Sequence, residues 1–354
     1  MTLKAALKAR IRAAGPMPVA EYMAECLLNP HHGYYVTRDP LGAAGDFTTA
    51  PEISQMFGEL IGLALAQAWL DQGAPTPFTL AELGPGRGTL MADILRATKK
   101  VPGFHAGLQL WLVEVSPVLR KVQGAALEGF APHWVETVQD LPQQPLFLIA
   151  NEFFDALPIR QYIRTGTGWS ERLIGLTDDV LAYGLGPPGP IAHLDARIAD
   201  TSEGNMVETC ATAGVIVGEL ATRIATQGAL LVVDYGDWRS NGDTFQALAN
   251  HAYADPLADP GQADLTAHVD FEALAQAGAP LVASHLTPQG VFLERLGITD
   301  RAQALAAGLS GRALEAHIAA HRRLTHSDEM GALFKVLGLT PDGAPPIAGT
   351  EHDT

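Results

Sequence analysis

The chain has 354 residues, of which 47% are hydrophobic and 18% charged. That is the balance of an ordinary globular protein, with ample apolar material for one large domain or for a core domain with decorations. Its 23 Lys+Arg face 39 Asp+Glu, a formal net charge of -16, which repels phosphate backbones, argues against nucleic acid as substrate and favours a basic peptide or a cationic small molecule. Cys26 and Cys210 form no CxxC pair and no Cys/His cluster at metal spacing, which argues against structural zinc and for a reducing compartment.

The first twenty residues carry Lys4, Lys8, Arg10 and Arg12 with no acid before Glu21, a superficial likeness to a transit peptide. Leu3, Leu7, Arg10 and Ile11 have helical spacing, however, and the segment reads as a first structural helix ended by Pro16 and Pro18. The longest apolar run, residues 60–70, is interrupted by Gln67 and falls short of the roughly 18 residues needed to span a membrane. The expectation is a soluble cytoplasmic protein without a membrane span, with oligomerisation left open.

A Gly-rich segment follows, from His31-His32-Gly33-Tyr34-Tyr35 to Gly45-Asp46-Phe47-Thr48-Thr49. The two histidines read as loop residues, because no third ligand stands at metal spacing. Pro51-Glu52 opens a helix expected to run to about residue 70, with Thr49 as its cap and Pro51 in its first turn. Residues 78–83 read as a buried strand, 84–88 as a turn and 89–98 as a helix. A second strand (108–115) and helix (117–127) follow, then strands at 133–138 and 146–150. This alternation predicts an α/β fold with a doubly wound, mostly parallel sheet.

Past Pro158 the alternation weakens. Residues 159–163 and 172–176 suggest a two-stranded ribbon joined at Gly166-Thr167-Gly168. Residues 207–226 read as a helix and 229–235 as a fifth strand. Residues 281–286 and 333–339 read as the last two strands, around a helical excursion at 299–326. The expected division is a helical, cofactor-covering region at 1–75, a Rossmann-like core at 76–157 and 206–354, and a substrate-side insertion at 158–205.

In a doubly wound sheet the first strand-to-helix turn is stripped of side chains so that backbone can approach a ligand, and Gly84, Gly86 and Gly88 supply that turn. The dinucleotide fingerprint would need glycine or alanine at 89, where Thr89 stands. Glu82 would repel a diphosphate there but suits an ammonium group. Glu114, beside Val115 at the end of the second strand, is placed to accept hydrogen bonds from ribose hydroxyls. After the third strand, Asp140 could take an adenine amino group while Leu141 packs on the ring. The set describes a nucleoside ligand bearing an ammonium group, as S-adenosyl-L-methionine does.

Other segments carry two readings. Residues 45–51 either lead as a loop into a capped helix or, through Asp46, Thr48, Thr49 and Pro51, close over the methionine end of that cofactor. Asn151-Glu152-Phe153-Phe154-Asp155 either starts a capped helix or meets a methyl acceptor at the end of the fourth strand, with Asn151 also near the cofactor. Adenine methyltransferases carry prolines where Glu152 and Phe153 stand, which again disfavours nucleic acid. His268 and Asp270 are a candidate base and its orienter.

The segments Gly33-Tyr34-Tyr35, Gly45 to Glu52, Phe57-Gly58-Glu59, Glu82 to Leu90, Asn151 to Pro158, Val232 to Gly236, Thr266 to Phe271 and Met330 to Val336 together resemble the MidA-like methyltransferase family over almost the whole chain. The resemblance implies a class I (Rossmann-like) methyltransferase fold with S-adenosyl-L-methionine as cofactor. Mitochondrial members of that family are complex I assembly factors that symmetrically dimethylate an arginine near the amino terminus of the 49-kDa-type subunit. It therefore implies a protein arginine methyltransferase whose partner is a protein with an accessible arginine, with Glu152 and Asp155 polarising the guanidinium. Two alternatives remain: a small-molecule O- or N-methyltransferase using His268 as base and residues 158–205 as lid, and an assembly chaperone that binds cofactor without turnover.

Overall fold

The apolar runs of the central strands are continuous rather than alternating, the pattern of parallel strands covered on both faces. A computed structural model of the chain, describing residues 1–37, 49–166, 168–249 and 252–351, shows how they assemble. The main strands are β1 (Phe78–Leu83), β2 (Leu108–Val113), β3 (His133–Val135), β4 (Leu146–Asn151), β5 (Gly228–Asp237) and β6 (Phe334–Thr340). They lie in the order β3-β2-β1-β4-β5-β6, with Val282–Ala283 on the outer side of β6. Strands β1 to β5 are parallel and β6 runs antiparallel to β5. Strand order reverses between β1 and β4, and the crevice at their carboxyl ends is where such sheets bind ligands.

The helices used below are α1 (Leu3–Ala14), α2 (Val19–Leu28), α3 (Gln55–Asp71), α4 (Thr89–Thr98), α5 (Pro117–Ala126) and α6 (Ala211–Ile224). One face of the sheet is covered by α3 and α4, with Trp69, Phe78 and Phe104 packed ring against ring. Helix α6 and the Phe271–Ala277 helix cover the other. Helices α3 and α4 touch through backbone: a Cβ on Gly58 would lie 2.6 Å from Cβ of Asp93, and one on Gly62 would lie 2.9 Å from Cα of Ile94. Buried Glu59 pins the crossing, accepting from Arg96 at 2.9 Å and from Arg301 at 2.8 and 3.1 Å.

The amino-terminal helices pack elsewhere. Leu3, Leu7, Met23 and Leu27 share a core with Ile159, Ile174, Phe245 and Leu265, so α1 and α2 join the segment after β4 rather than the main sheet. That segment is more than the expected two-stranded ribbon. Arg160–Thr165 and Gly168–Thr177 do form an antiparallel pair, but Met17–Pro18, Val180–Leu185 and Met206–Thr209 extend it to five strands. Residues 207–209, expected as helix, are therefore strand, drawn in by pairing with Tyr162, Gln161 and Arg160. Helix α6 starts only at Ala211.

The helix expected from about residue 50 to 70 is broken at Ser54, whose hydroxyl accepts from the Met56 amide at 3.2 Å. Thr49 stands at the cap position of the preceding Ala50–Ile53 turn without a side-chain capping bond. The expected strand at 281–286 is only Val282–Ala283. The excursion before β6 comprises Gln289–Arg295, Ile298–Ala306 and Gly311–Thr325. Among the described residues no helix is long and apolar enough to cross a membrane.

The close α3–α4 crossing makes a stability prediction. Alanine normally stabilises a helix by about 0.5–1 kcal/mol over glycine, yet overpacking costs about 1–3 kcal/mol. Gly58→Ala should therefore lower the urea unfolding free energy by about 1 kcal/mol or more. Gly214→Ala on α6, where the nearest atom to the added Cβ is 3.9 Å away, should be neutral or stabilising. Equal effects at the two sites would refute the backbone crossing.

Candidate active site

At the end of β1 the chain turns through Gly84, Gly86 and Gly88, with φ of +56°, +53° and +84°, a region other residues enter only at a cost. A side chain on Gly84 would also strike the Phe153 ring, 2.9 Å from the Cβ position. The turn is held by Gln123 of α5, whose amide nitrogen donates to Gly86 O at 2.8 Å and to Glu114 Oε2 at 3.1 Å. Its carbonyl oxygen accepts from the Trp134 indole at 2.8 Å. Nothing in the sequence singled out Gln123, because its partners lie on other elements.

The turn borders a cavity of about 620 Å³ at the carboxyl ends of β1 and β4. Of the residues expected there, Thr49, Pro51, Glu82, Gly84, Gly86, Glu114, Val115, Asn151, Glu152, Asp155 and His268 all line it. Gly88 stands back as the cap residue of α4. Asp46 and Thr48 lie outside the described residues.

Glu82 is buried, and its Oε2 has no hydrogen-bond partner among the described residues. Burial, aided by the Glu114 carboxyl, pushes it up to about 8. Glu114 accepts from the Ser116 amide at 2.7 Å and from Gln123. Each of its oxygens keeps a further lone pair, and burial raises its pKa against those bonds.

The adenine-side expectation needs correction. Strand β3 stops at Val135, and the chain enters a short 3-10 turn, Val138–Asp140. That turn points Asp140 to solvent, where its Oδ2 accepts from the Thr137 hydroxyl at 2.9 Å. Leu141 is buried in the core, and its carbonyl accepts from Arg223 at 2.6 Å. Thr137, Val138 and Gln139 line the cavity instead.

The other end of the cavity is acidic. Glu152 adopts φ +51°. Its Oε1 accepts from the Ala50 amide and the Asn151 side chain, each at 3.1 Å. Its Oε2 has no partner among the described residues, and burial pushes its carboxyl up to about 8. Asp155 accepts from the Tyr235 hydroxyl at 2.6 Å through Oδ2, while its Oδ1 and the Asn151 Oδ1 are buried without partners among the described residues. Burial raises Asp155 as well. Tyr35, which the sequence marked only within the family segment Gly33-Tyr34-Tyr35, and Asp264, which it did not mark, complete this wall, joined by a 2.6 Å hydrogen bond.

The expected His268–Asp270 dyad does not form. The Asp270 carboxylate caps the Phe271–Ala277 helix, accepting from Ala273 and Ser240 amides at 2.9 Å each. His268 reaches the cavity with its ring edge-on to Tyr235, centroids 5.6 Å apart. Burial, with Lys335 nearby, lowers its pKa and favours the neutral ring.

This chain matches, over residues 60–288, a family model described as S-adenosyl-L-methionine-dependent methyltransferase, the MidA-like family. The chain belongs to this family. It is 39% identical to the mitochondrial protein arginine methyltransferase NDUFAF7 of Danio rerio, covering 94% of this chain and 85% of the relative. The Homo sapiens protein of that name is 38% identical, with coverages of 94% and 82%. A Burkholderia thailandensis protein solved with S-adenosyl-homocysteine bound superposes with a TM-score of 0.82 at 30% identity, over 97% of this chain and 93% of that one.

The protein is thus an S-adenosyl-L-methionine-dependent methyltransferase. The residues fit the cofactor: the turn at Gly84 and Gly86 admits backbone approach, and Glu82 presents a buried acceptor with no donor of its own. The expectation of a cytoplasmic protein is overturned, because the curated relatives are mitochondrial by name.

A pH dependence follows for Glu82. A buried acid raised to about 8 is protonated in the free site below that pH, whereas an ammonium ligand requires the carboxylate. Calorimetric affinity for S-adenosyl-homocysteine should rise more than about tenfold between about pH 6 and about pH 8. Glu82→Gln should bind weakly with a flat profile. A flat wild-type profile would show that Glu82 does not meet the ammonium group.

Proposed function

We propose that the chain methylates a guanidinium nitrogen of an arginine in a protein partner. The observation that carries this reading is the convergence of Asn151 Oδ1, Glu152 Oε2 and Asp155 Oδ1, buried acceptors without partners among the described residues, beside Tyr235 and Phe153 on one wall of the cavity. A guanidinium offers a planar fork of donors and keeps its charge when buried, so it answers carboxyl groups better than a neutral acceptor does. The curated relatives are named as protein arginine methyltransferases, and the net charge of -16 suits a basic segment. With the family resemblance, these favour an arginine of a 49-kDa-type complex I subunit as target.

S-adenosyl-L-methionine supplies a methyl group already activated on a positively charged sulfur. Glu82 and Glu114 would hold its ammonium and ribose ends, leaving the chain to orient the acceptor, an effect worth about 7–11 kcal/mol when geometry is good. Glu152 and Asp155 grip the guanidinium. Glu152, whose burial raises its proton affinity, receives the proton that nitrogen gives up. The small-molecule alternative loses its orienting acid, since Asp270 is spent on a helix cap.

Labelled cofactor added to an extract of cells lacking the enzyme tests this reading. Wild-type protein should label one protein band that yields methylarginine on hydrolysis. Glu152→Gln should lower that labelling about tenfold or more, about 1.4 kcal/mol of transition-state binding, with affinity for S-adenosyl-homocysteine near wild type. Label in metabolites, or undiminished transfer by Glu152→Gln, would contradict it.

A further inference from the structure

Beside the turn that follows β4, strand β5 reads Val232-Val233-Asp234-Tyr235-Gly236. Asp234 is fully buried and is not part of the cavity wall. Its oxygens serve backbone amides. Oδ2 accepts from the N–H groups of Phe153, Phe154 and Asp155 at 3.2, 2.9 and 3.3 Å, and Oδ1 accepts from the Tyr235 amide at 2.9 Å. Consecutive amides converging on one carboxyl oxygen form a nest of the kind that usually takes a ligand anion. Here the protein fills it from within.

The bonds fall where the backbone is strained. Glu152 holds a left-handed φ of +51°, a conformation that is costly for a non-glycine residue and persists only when its surroundings impose it. On one side, its amide donates to Val233 O at 2.9 Å. On the other, the next three amides are tied to Asp234. The following residue of the strand, Tyr235, fixes the Asp155 carboxyl through its hydroxyl. Adjacent residues of β5 thus set both the path of the turn and the aim of one of its acids.

We infer that Asp234 is a positioning residue for methyl transfer: it clamps the turn at 152–155 so that the Glu152 and Asp155 carboxyls face the acceptor, without touching the acceptor itself. This rests on the reading above that those two acids meet the acceptor. It separates two functions of one cavity. The β1 turn and Glu114, which serve the cofactor, have other supports in Gln123 and Ser116, so disturbing Asp234 should spare cofactor binding while spoiling transfer.

Two variants test it in the full chain. Asp234→Ala removes the acceptor of all four amides. Asp234→Asn keeps one oxygen for the three-amide nest and places an amino group against the Tyr235 amide. In Asp234→Ala, hydrogen exchange at the amides of 153–155 should accelerate about tenfold or more, as expected for lost hydrogen bonds. S-adenosyl-homocysteine affinity should stay within about threefold of wild type while kcat for methyl transfer to the labelled protein falls about a hundredfold. Asp234→Asn should recover part of that loss.

Unchanged exchange, wild-type turnover in Asp234→Ala, or affinity and turnover falling in parallel would overturn the inference. Should Asp234→Ala not fold, Asp234→Asn decides by the same split: reduced kcat at constant affinity supports it and parallel loss overturns it. An acceptor other than arginine would change the labelled product and leave the split intact, so failure of the substrate reading is distinguishable.

Discussion

Glu82, Glu152 and Asp155 each bury an oxygen that no donor among the described residues reaches. A buried polar group without a partner costs about 1–3 kcal/mol, more when charged. A fold keeps several of them side by side only where something else completes them. Here they stand at the carboxyl ends of β1 and β4, the two strands between which the sheet order reverses, and they face one cavity. A cofactor carrying an ammonium group would answer Glu82 at one end. At the other, Glu152 and Asp155 would meet the second cation that the proposed arginine chemistry brings.

Two bodies of the fold make this arrangement tolerable. The sheet, clamped on one face by the close α3–α4 crossing and the Glu59 ion pairs, gives β1 and β4 fixed ends. The second body walls the acceptor end: Ala24, Leu27 and Leu28 come from α2, while Gln246, Asp264 and Thr266 come from the strands that share its core. Burial is what raises the carboxyl pKa values of Glu82 and Glu152.

Much of the sheet was legible because parallel, doubly covered strands leave unbroken apolar runs. Phe78–Leu83 and Thr89–Thr98 appear in the structure with the boundaries read from sequence. The glycine turn was legible because backbone that approaches a ligand must lose its side chains. What escaped depends on partners distant in sequence. Residues 207–209 look like the start of a helix until Arg160, Gln161 and Tyr162 pair with them. Asp140 was misplaced because β3 ends early and the 3-10 turn rotates its side chain outward. Asp270 precedes Phe271-Glu272-Ala273, a pattern already explained by capping. Gln123, Asp234 and the Tyr35–Asp264 pair act across elements, and no local spacing announces them.

Whether the buried acids at the end of β4 receive a guanidinium can be measured without turnover. Protein saturated with S-adenosyl-homocysteine would be titrated calorimetrically with a short basic peptide carrying one arginine, then with the same peptide carrying citrulline there. Citrulline keeps the shape and removes the charge. Arginine should bind at least about tenfold tighter, as a charge-assisted bond to a buried carboxylate requires. Equal affinities would contradict the account.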